Sequence, residues 1–282
     1  MKNRARSRKP AHNHSYASGE TTTTRTRRLL LACRWGSLAY GQEVDVDTDI
    51  ICIDGTVCPP ALEPQFQKWY DEWHIPQSMK FKDMFGVTRY KFVAPGGDAT
   101  VTEYPGYLTI QRFRNFEAFV AWNASQELQG AWQHFDELKA GGAEVWWRVQ
   151  YQCIKSWKDT SRTTLISMTA LHCDAQAEHA VDKWYTEKHV PDLLQFKEIL
   201  GVTRYKLADA RACGSMRLGS VRIRDYPRFL TIYNYPDMAT AQAFDTSPER
   251  AAARPDWLEV AKQTKAFRMW RVRYTPLRAW SR

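Results

Sequence analysis

Two tyrosine–histidine pairs are the residues in this chain best suited to chemistry. Tyr70 and His74, and again Tyr185 and His189, stand four residues apart, so on a helix each pair shares one face. An imidazole beside a phenol can add or remove a proton at a carbon next to a carbonyl. Each histidine falls in the last turn of its expected helix, where the backbone dipole favours the imidazolium. Asp71, three residues before His74, should raise that pKa further, whereas Thr186 at the matching place cannot do so for His189. Both imidazoles are therefore expected to titrate near neutrality. The alternative role, a histidine that only bonds the last helical carbonyls, stays open.

Around these pairs stand residues that could hold a substrate. Arg89 and Arg204 each precede a tyrosine, Tyr90 and Tyr205, and a guanidinium there can grip a carboxylate or phenolate with two hydrogen bonds. Pairing with a neighbouring side-chain carboxylate is the competing use. Trp69, Trp73 and Trp184 suit either a core or a flat apolar ligand. Glu72 and Glu187 read as solvated helix residues, and His134, His172 and His179 have no counterparts at matching positions, so a structural role is expected for them. The chain has no glycine-rich dinucleotide turn, phosphate loop, H-E-x-x-H or G-x-S-x-G. Neither a metal nor a cofactor is expected, which leaves acid–base chemistry by side chains.

These residues come in pairs because the chain is an internal duplication. KWYDEWHIPQSMKFKDMFGVTRYK (68–91) returns as KWYTEKHVPDLLQFKEILGVTRYK (183–206), with 14 of 24 positions identical at an offset of 115. YPGYLTIQRF at Tyr104 returns as YPRFLTIYNY at Tyr226, and Trp147-Arg148-Val149 returns as Trp270-Arg271-Val272, at offsets of 122 and 123. A period above 100 residues is too long for a solenoid unit of about 20–50 residues, so each copy is domain-sized.

In each copy a β-branched run predicts a strand, 48–57 or 163–172, followed by a helix. Phe66, Trp69, Tyr70 and Trp73 form its apolar stripe in the first copy, and Ala177, Val181, Trp184 and Tyr185 in the second. Pro76 and Pro191 are expected to stop these helices. Gly-Val-Thr-Arg-Tyr then opens a second strand, a third follows at 107–113 or 229–235, and Asn115 or Asp237 caps a second helix. The last strands are read at 145–153 and 268–274. The order is β-α-β-β-α-β twice, a ferredoxin-like unit, so the fold class is α+β. One such unit leaves an apolar sheet face bare. Two in one chain can cover it, which predicts a single closed, pseudo-symmetric α/β barrel. The expected organisation is a basic leader at 1–45, repeat 1 at 46–154, a linker at 155–162, repeat 2 at 163–277 and a tail at 278–282.

The formal charge of +9 does not indicate nucleic-acid binding. Residues 1–28 hold eight basic side chains against Glu20 alone, so the remainder is close to neutral. The leader's composition suits a disordered tail, with a mitochondrial transit peptide as the runner-up to a cytoplasmic protein. The apolar run 29–33 is too short to span a bilayer. The six cysteines show no C-x-x-C pair, and a reduced, intracellular protein is expected.

W-Y-x-E-x-H-[IV]-P at a helix end, followed by G-V-x-R-Y opening a strand, resembles the dimeric α/β-barrel superfamily and its EthD-like branch. The resemblance covers residues 48–275. It implies a pocket between sheet and helices in each repeat, with His74 or His189 placed at it. The family includes polyketide cyclases, decarboxylases, cofactor-free monooxygenases, haem-handling enzymes and stress proteins. On this footing the chain is expected to be a cofactor-independent lyase or cyclase of polyketide-type secondary metabolism. Its substrate would be a small apolar or aromatic molecule. His74, His189, Tyr70, Tyr185 and Asp71 would do the chemistry, and Arg89, Arg204, Tyr90, Tyr205 and the tryptophans would bind. A non-catalytic ligand-binding or stress-response module and a cofactor-free monooxygenase are the alternatives. The implied assembly is a monomeric pseudo-dimer, with further homodimerisation left open.

Overall fold

The computed structural model describes residues 49–96, 103–158 and 162–282. The expected leader lies outside them. Repeat 1 runs β1 (Ile50–Val57), α1 (Glu63–Lys68), a π-helical turn (Trp69–His74), α2 (Ile75–Ser78), β2 (Met84–Pro95) and β3 (Tyr107–Phe113). It continues with α3 (Phe116–Asn123), α4 (Gln126–Ala131), α5 (Phe135–Ala140) and β4 (Glu144–Trp157). Repeat 2 runs β5 (Leu165–His172), α6 (Glu178–Trp184), a π-helical turn (Tyr185–His189), α7 (Val190–Leu193) and β6 (Gly201–Leu207). A small hairpin follows, β7 (Arg217–Leu218) and β8 (Val221–Arg222), then β9 (Phe229–Tyr235), α8 (Met238–Asp245), α9 (Pro248–Thr264) and β10 (Phe267–Ser281).

The eight long strands close a barrel in the order β1-β3-β2-β10-β5-β9-β6-β4. Within each repeat the strand order is that of a ferredoxin-like unit, and the seams between repeats are β2–β10 and β6–β4, both antiparallel. Alternation along the strands sends Ile51, Ile53, Trp147, Val149, Met168 and Trp270 into the barrel, where they form one shared core. Equivalent residues Trp147 and Trp270 stack on each other there, ring centroids 4.9 Å apart, close to the pseudo-twofold axis. The opposite sheet face of each repeat is covered by its own helices over separate cores, one around Phe66, Phe113 and Trp122, the other around Val181, Phe229 and Phe244.

The last strands are longer than their sequence suggests. β4 runs on to Trp157, into the expected linker, and β10 runs on to Ser281, through the expected tail. Those added residues lengthen the seams: Tyr151–Trp157 pairs with β6, and Val272–Ser281 pairs with β2. Their composition, polar and interrupted by Pro276, carries no alternation, because both seams are edge pairings made with the other repeat.

The prolines are a second correction. Pro76 and Pro191 do not stop the helices; each sits in the first turn of α2 or α7. Just before them the helix widens, with Ile75 N–H donating to Tyr70 O and Val190 N–H to Tyr185 O, both five residues back. The wider turn moves the carbonyl four residues before the proline out of the way of its ring, and proline has no N–H to lose. Asn115 and Asp237 cap α3 and α8 as expected, each side chain accepting from a backbone N–H three residues on. Among the described residues no helix is long and apolar enough to cross a membrane, and the five described cysteines are free thiols.

Candidate active site

The π-helical turns place both tyrosine–histidine pairs against the sheet, but in surroundings that oppose the expected charge. His74 is buried and boxed in by Trp69, Tyr70 and Trp132, whose ring centroids lie 4.5, 5.0 and 5.1 Å away. Its Nδ1 lies 2.9 Å from Ala131 O. A carbonyl only accepts, so Nδ1 carries the proton and Nε2 is the basic nitrogen. Burial pushes the pKa down to about 4, which the bond to Ala131 only partly offsets. His189 is stacked on Trp184 at 4.7 Å and beside Tyr185 at 4.6 Å. Its Nδ1 is buried with no hydrogen-bond partner among the described residues, and burial pushes its pKa down to about 3. The expectation of imidazoles titrating near neutrality is therefore overturned. Removal from water outweighs the helix dipole, and Asp71 is directed elsewhere.

Asp71 turns to arginine instead. Its carboxylate accepts from Arg89 Nη1 at 3.1 Å and from Arg278 Nη1 at 3.5 Å. Arg89 is buried with its guanidinium 4.0 Å over the Tyr70 ring, and its Nε and Nη2 have no hydrogen-bond partner among the described residues. Arg204 repeats the arrangement over Tyr185 at 4.7 Å. Its Nη1 donates to Asp182 Oδ1 at 2.6 Å and to Thr186 Oγ1. The acid missing at Thr186 has moved back one helical turn, to Asp182, where repeat 1 has Gln67. Both arginines thus tie helix to sheet, the pairing with a neighbouring carboxylate that the sequence left open beside a binding role. Tyr90 and Tyr205 lie on the opposite strand face, inside the barrel, because neighbouring strand residues point to opposite sides. Trp69 and Trp73 donate to Gln133 O and Gly130 O, pinning the helix to the end of α4 and the segment after it. Tyr70 OH meets Thr56 Oγ1 at 3.2 Å, and Tyr185 OH meets Tyr233 OH at 3.0 Å.

What the structure brings together at an open space is a different set. A shallow cavity of about 390 Å³ in repeat 1, more open than enclosed, is lined by Asn123, Leu128, Trp132, Val145, Arg148 and Ser215. Arg148 is its cation. Its Nη1 donates to both oxygens of Asp54, at 3.1 and 3.3 Å, and its Nη2 to Asn123 Oδ1 at 2.9 Å. Asp54 faces Arg148 across the β1–β4 ladder and is only 2% exposed. Burial raises its carboxyl above the usual range while Arg148 draws it back, and the carboxylate in turn holds the guanidinium charged. A β-bulge at Trp146 breaks the register just before Arg148, and the backbone of Gly214 and Ser215 bonds Arg148 from the other repeat. Repeat 2 therefore supplies one wall of the repeat 1 cavity. His74 does not line it but lies one ring away, behind Trp132.

A second cavity, about 560 Å³, opens near His172, Arg222, Lys265 and Phe267. Neither motif histidine lines either cavity, so these two imidazoles do not fit the role of a haem ligand. Among the described residues no group of three or more His, Cys, Asp or Glu is placed to hold a metal ion. Asp54, Asn123 and Arg148 went unread in the sequence. The signals were there: an aspartate inside the apolar run 50–57, and an arginine central to one of the repeated tripeptides.

No family model matches the chain, and no curated protein matches it either. Solved structures do. An anthrone oxidase-like protein superposes with a TM-score of 0.58 at 10% identity, covering 84% of this chain and 94% of the other. A candidate monooxygenase from Fusobacterium nucleatum superposes at 0.52 and 9% identity, covering 83% and 95%. A candidate chlorite dismutase superposes at 0.50 and 9%, covering 82% and 95%. At such identities the likeness establishes the fold: this is a dimeric-type α/β barrel closed within one polypeptide.

Proposed function

We propose that the protein is an enzyme that takes a small aromatic or polyketide-like molecule into the repeat 1 cavity and holds it there as an enolate or phenolate. The observation that carries this reading is Arg148, a permanent cation at a space where Trp132, Leu128 and Val145 form the apolar wall beside the polar Asn123 and Ser215. Asp54 and Asn123 fix the guanidinium at the edge of the space, so its remaining N–H groups can meet a developing oxyanion with little rearrangement. The neutral histidines favour chemistry that needs no protonated imidazole. A deprotonated, electron-rich ring carbon can react with dioxygen directly. A ring methylene and one dioxygen then give a ring carbonyl and one water, with the substrate supplying all four electrons. Cofactor-free oxygenation is therefore the leading reading, and it agrees with what two of the fold neighbours are named for.

The lyase or cyclase reading stays second. It is favoured by Tyr70 and His74, which put a neutral imidazole directly behind the Trp132 wall. A base whose conjugate acid has a pKa of about 4 is weak at neutral pH, so turnover by this route should be slow. The deciding experiment incubates aromatic polyketide phenols and acids with the protein, with and without air, following dioxygen and product mass. Oxygen uptake with a product that has gained one oxygen and lost two hydrogens, abolished in Arg148→Gln and retained in His74→Gln, supports oxygenation. Loss of carbon dioxide or water without air, abolished by His74→Gln, supports the lyase or cyclase. Binding without turnover in every variant would leave a carrier, and a Soret band in the purified protein would overturn the cofactor-free reading.

A further inference from the structure

We infer that, of the two equivalent spaces beside the last-strand arginines Arg148 and Arg271, only that of repeat 1 is a site for an apolar ring, and that the repeat 2 space is closed to one by a carboxylate on the helix in place of the strand. The inference rests on the repeat 1 cavity being the ligand site, as proposed above, but not on which reaction takes place there.

Strand register makes the equivalences direct. Asp54 pairs with Thr109 and Arg148 across its neighbours, and Thr169 pairs with Thr231 and Arg271 in the same way. α3 and α8 match from their caps, so Asn123 corresponds to Asp245. Both repeats therefore keep an arginine on the last strand and one carboxylate for it, on opposite elements. In repeat 1 the acid lies on the strand beneath the guanidinium, and the helix offers a neutral amide. In repeat 2 the strand offers Thr169 and the helix offers the acid.

That exchange changes what surrounds the space. With the acid on the helix, Asp245 gathers Arg250 Nη1 and Arg271 Nη1 at 2.9 Å each, and Arg273 Nη2 at 2.5 Å. Gln150 holds the Arg273 position in repeat 1. The lining follows suit. Leu128, Trp132 and Val145, the apolar walls of the repeat 1 cavity, correspond to Arg250, Arg254 and Arg268. Five lining positions that read Asn, Leu, Trp, Val, Arg in repeat 1 read Asp, Arg, Arg, Arg, Arg in repeat 2. Aromatic rings gain by leaving water for apolar walls, and a group of arginines gathered about Asp245 offers no such wall. The Gly96 and Gly214 contacts persist in both repeats, each glycine N–H bonding the opposite repeat's arginine carbonyl. The frame is symmetric and the lining is not.

The test needs no substrate. Titration of 8-anilinonaphthalene-1-sulfonate, an aromatic anion, into the full-length protein should give one site per chain by fluorescence and calorimetry. Arg148→Gln should weaken it at least 10-fold, and Arg254→Ala should leave it unchanged. Grafting the repeat 2 lining onto repeat 1, as Asn123→Asp with Leu128→Arg, should also weaken it at least 10-fold, with retained circular dichroism showing that the barrel still closes. A site lost with Arg254→Ala, or a site kept at full affinity in the graft, would overturn the inference. One repeat 1 site in a protein that turns over nothing would leave the inference standing and sink the proposed reaction instead.

Discussion

Repeat 1 and repeat 2 share strand order, π-helical turns, helix caps and a buried arginine over a tyrosine, yet they distribute their acids differently. Twice a carboxylate has moved while its arginine stayed. Asp71 in repeat 1 becomes Asp182 one helical turn earlier, and Asp54 on the strand becomes Asp245 on the helix. A buried guanidinium needs a counter-charge, but any neighbouring element can provide it. Duplication preserves the demand and lets the supply drift. The two moves differ in consequence. The first stays at the helix–sheet interface, apart from the contact with Arg278 of the other repeat that Asp71 makes. The second goes with a change of side chains at the matching lining positions, from Leu128, Trp132 and Val145 in repeat 1 to Arg250, Arg254 and Arg268 in repeat 2.

The largest effect should come from deleting these strand and helix acids. Asp54→Ala strips Arg148 of its buried partner and should cost about 3–5 kcal/mol in denaturant unfolding. Asp245→Ala releases three guanidiniums from one carboxylate and should cost at least as much. If Asp245→Ala proves the milder change, the three repeat 2 arginines do not depend on that one carboxylate.

The histidines give the next effect, and its sign follows from burial. The unfolded chain protonates its histidines near 6.5, whereas folded His74 holds off until about 4 and His189 until about 3. Each therefore contributes stability that is full above pH 6.5 and is lost as pH falls through the acid range, about 3 kcal/mol or more per residue. Unfolding measured between pH 7 and 4 should show this loss. His189→Gln should flatten the curve more than His74→Gln, since His189 lacks the carbonyl partner that Ala131 gives His74. Imidazole shifts titrating near 6.5 in the folded protein would refute the account.

The smallest effect is a designed null. Asp71→Ala should cost about 2 kcal/mol by leaving Arg89 Nη1 unpaired. Adding the repeat 2 solution, Gln67→Asp with Asp71→Thr, should restore stability to within about 0.5 kcal/mol of the parent. A double variant no better than Asp71→Ala would mean that the two arginine sites are not interchangeable.

The duplication, the element order and the closed barrel were all legible in the residues, because the 115-residue repeat and the alternation of apolar positions are local patterns that each copy states independently. The helix caps at Asn115 and Asp237 were legible for the same reason. The seam strands were not, since Lys155–Trp157 and Arg278–Ser281 acquire their partners only when the other repeat arrives. Nor were the histidine charges. A helix position and a nearby aspartate are visible in the chain, but the desolvation that outweighs them comes from Trp132 and Trp184 packing over the rings. The residues at the cavity were least visible of all. Asp54, Asn123 and Arg148 are scattered over 94 positions, and the cavity wall at Ser215 comes from the other repeat. Local pattern specifies which face of a strand or helix is apolar. Which polar groups meet, and which of them lose their water, is settled when the two halves close, because charge and solvation depend on every neighbour in three dimensions.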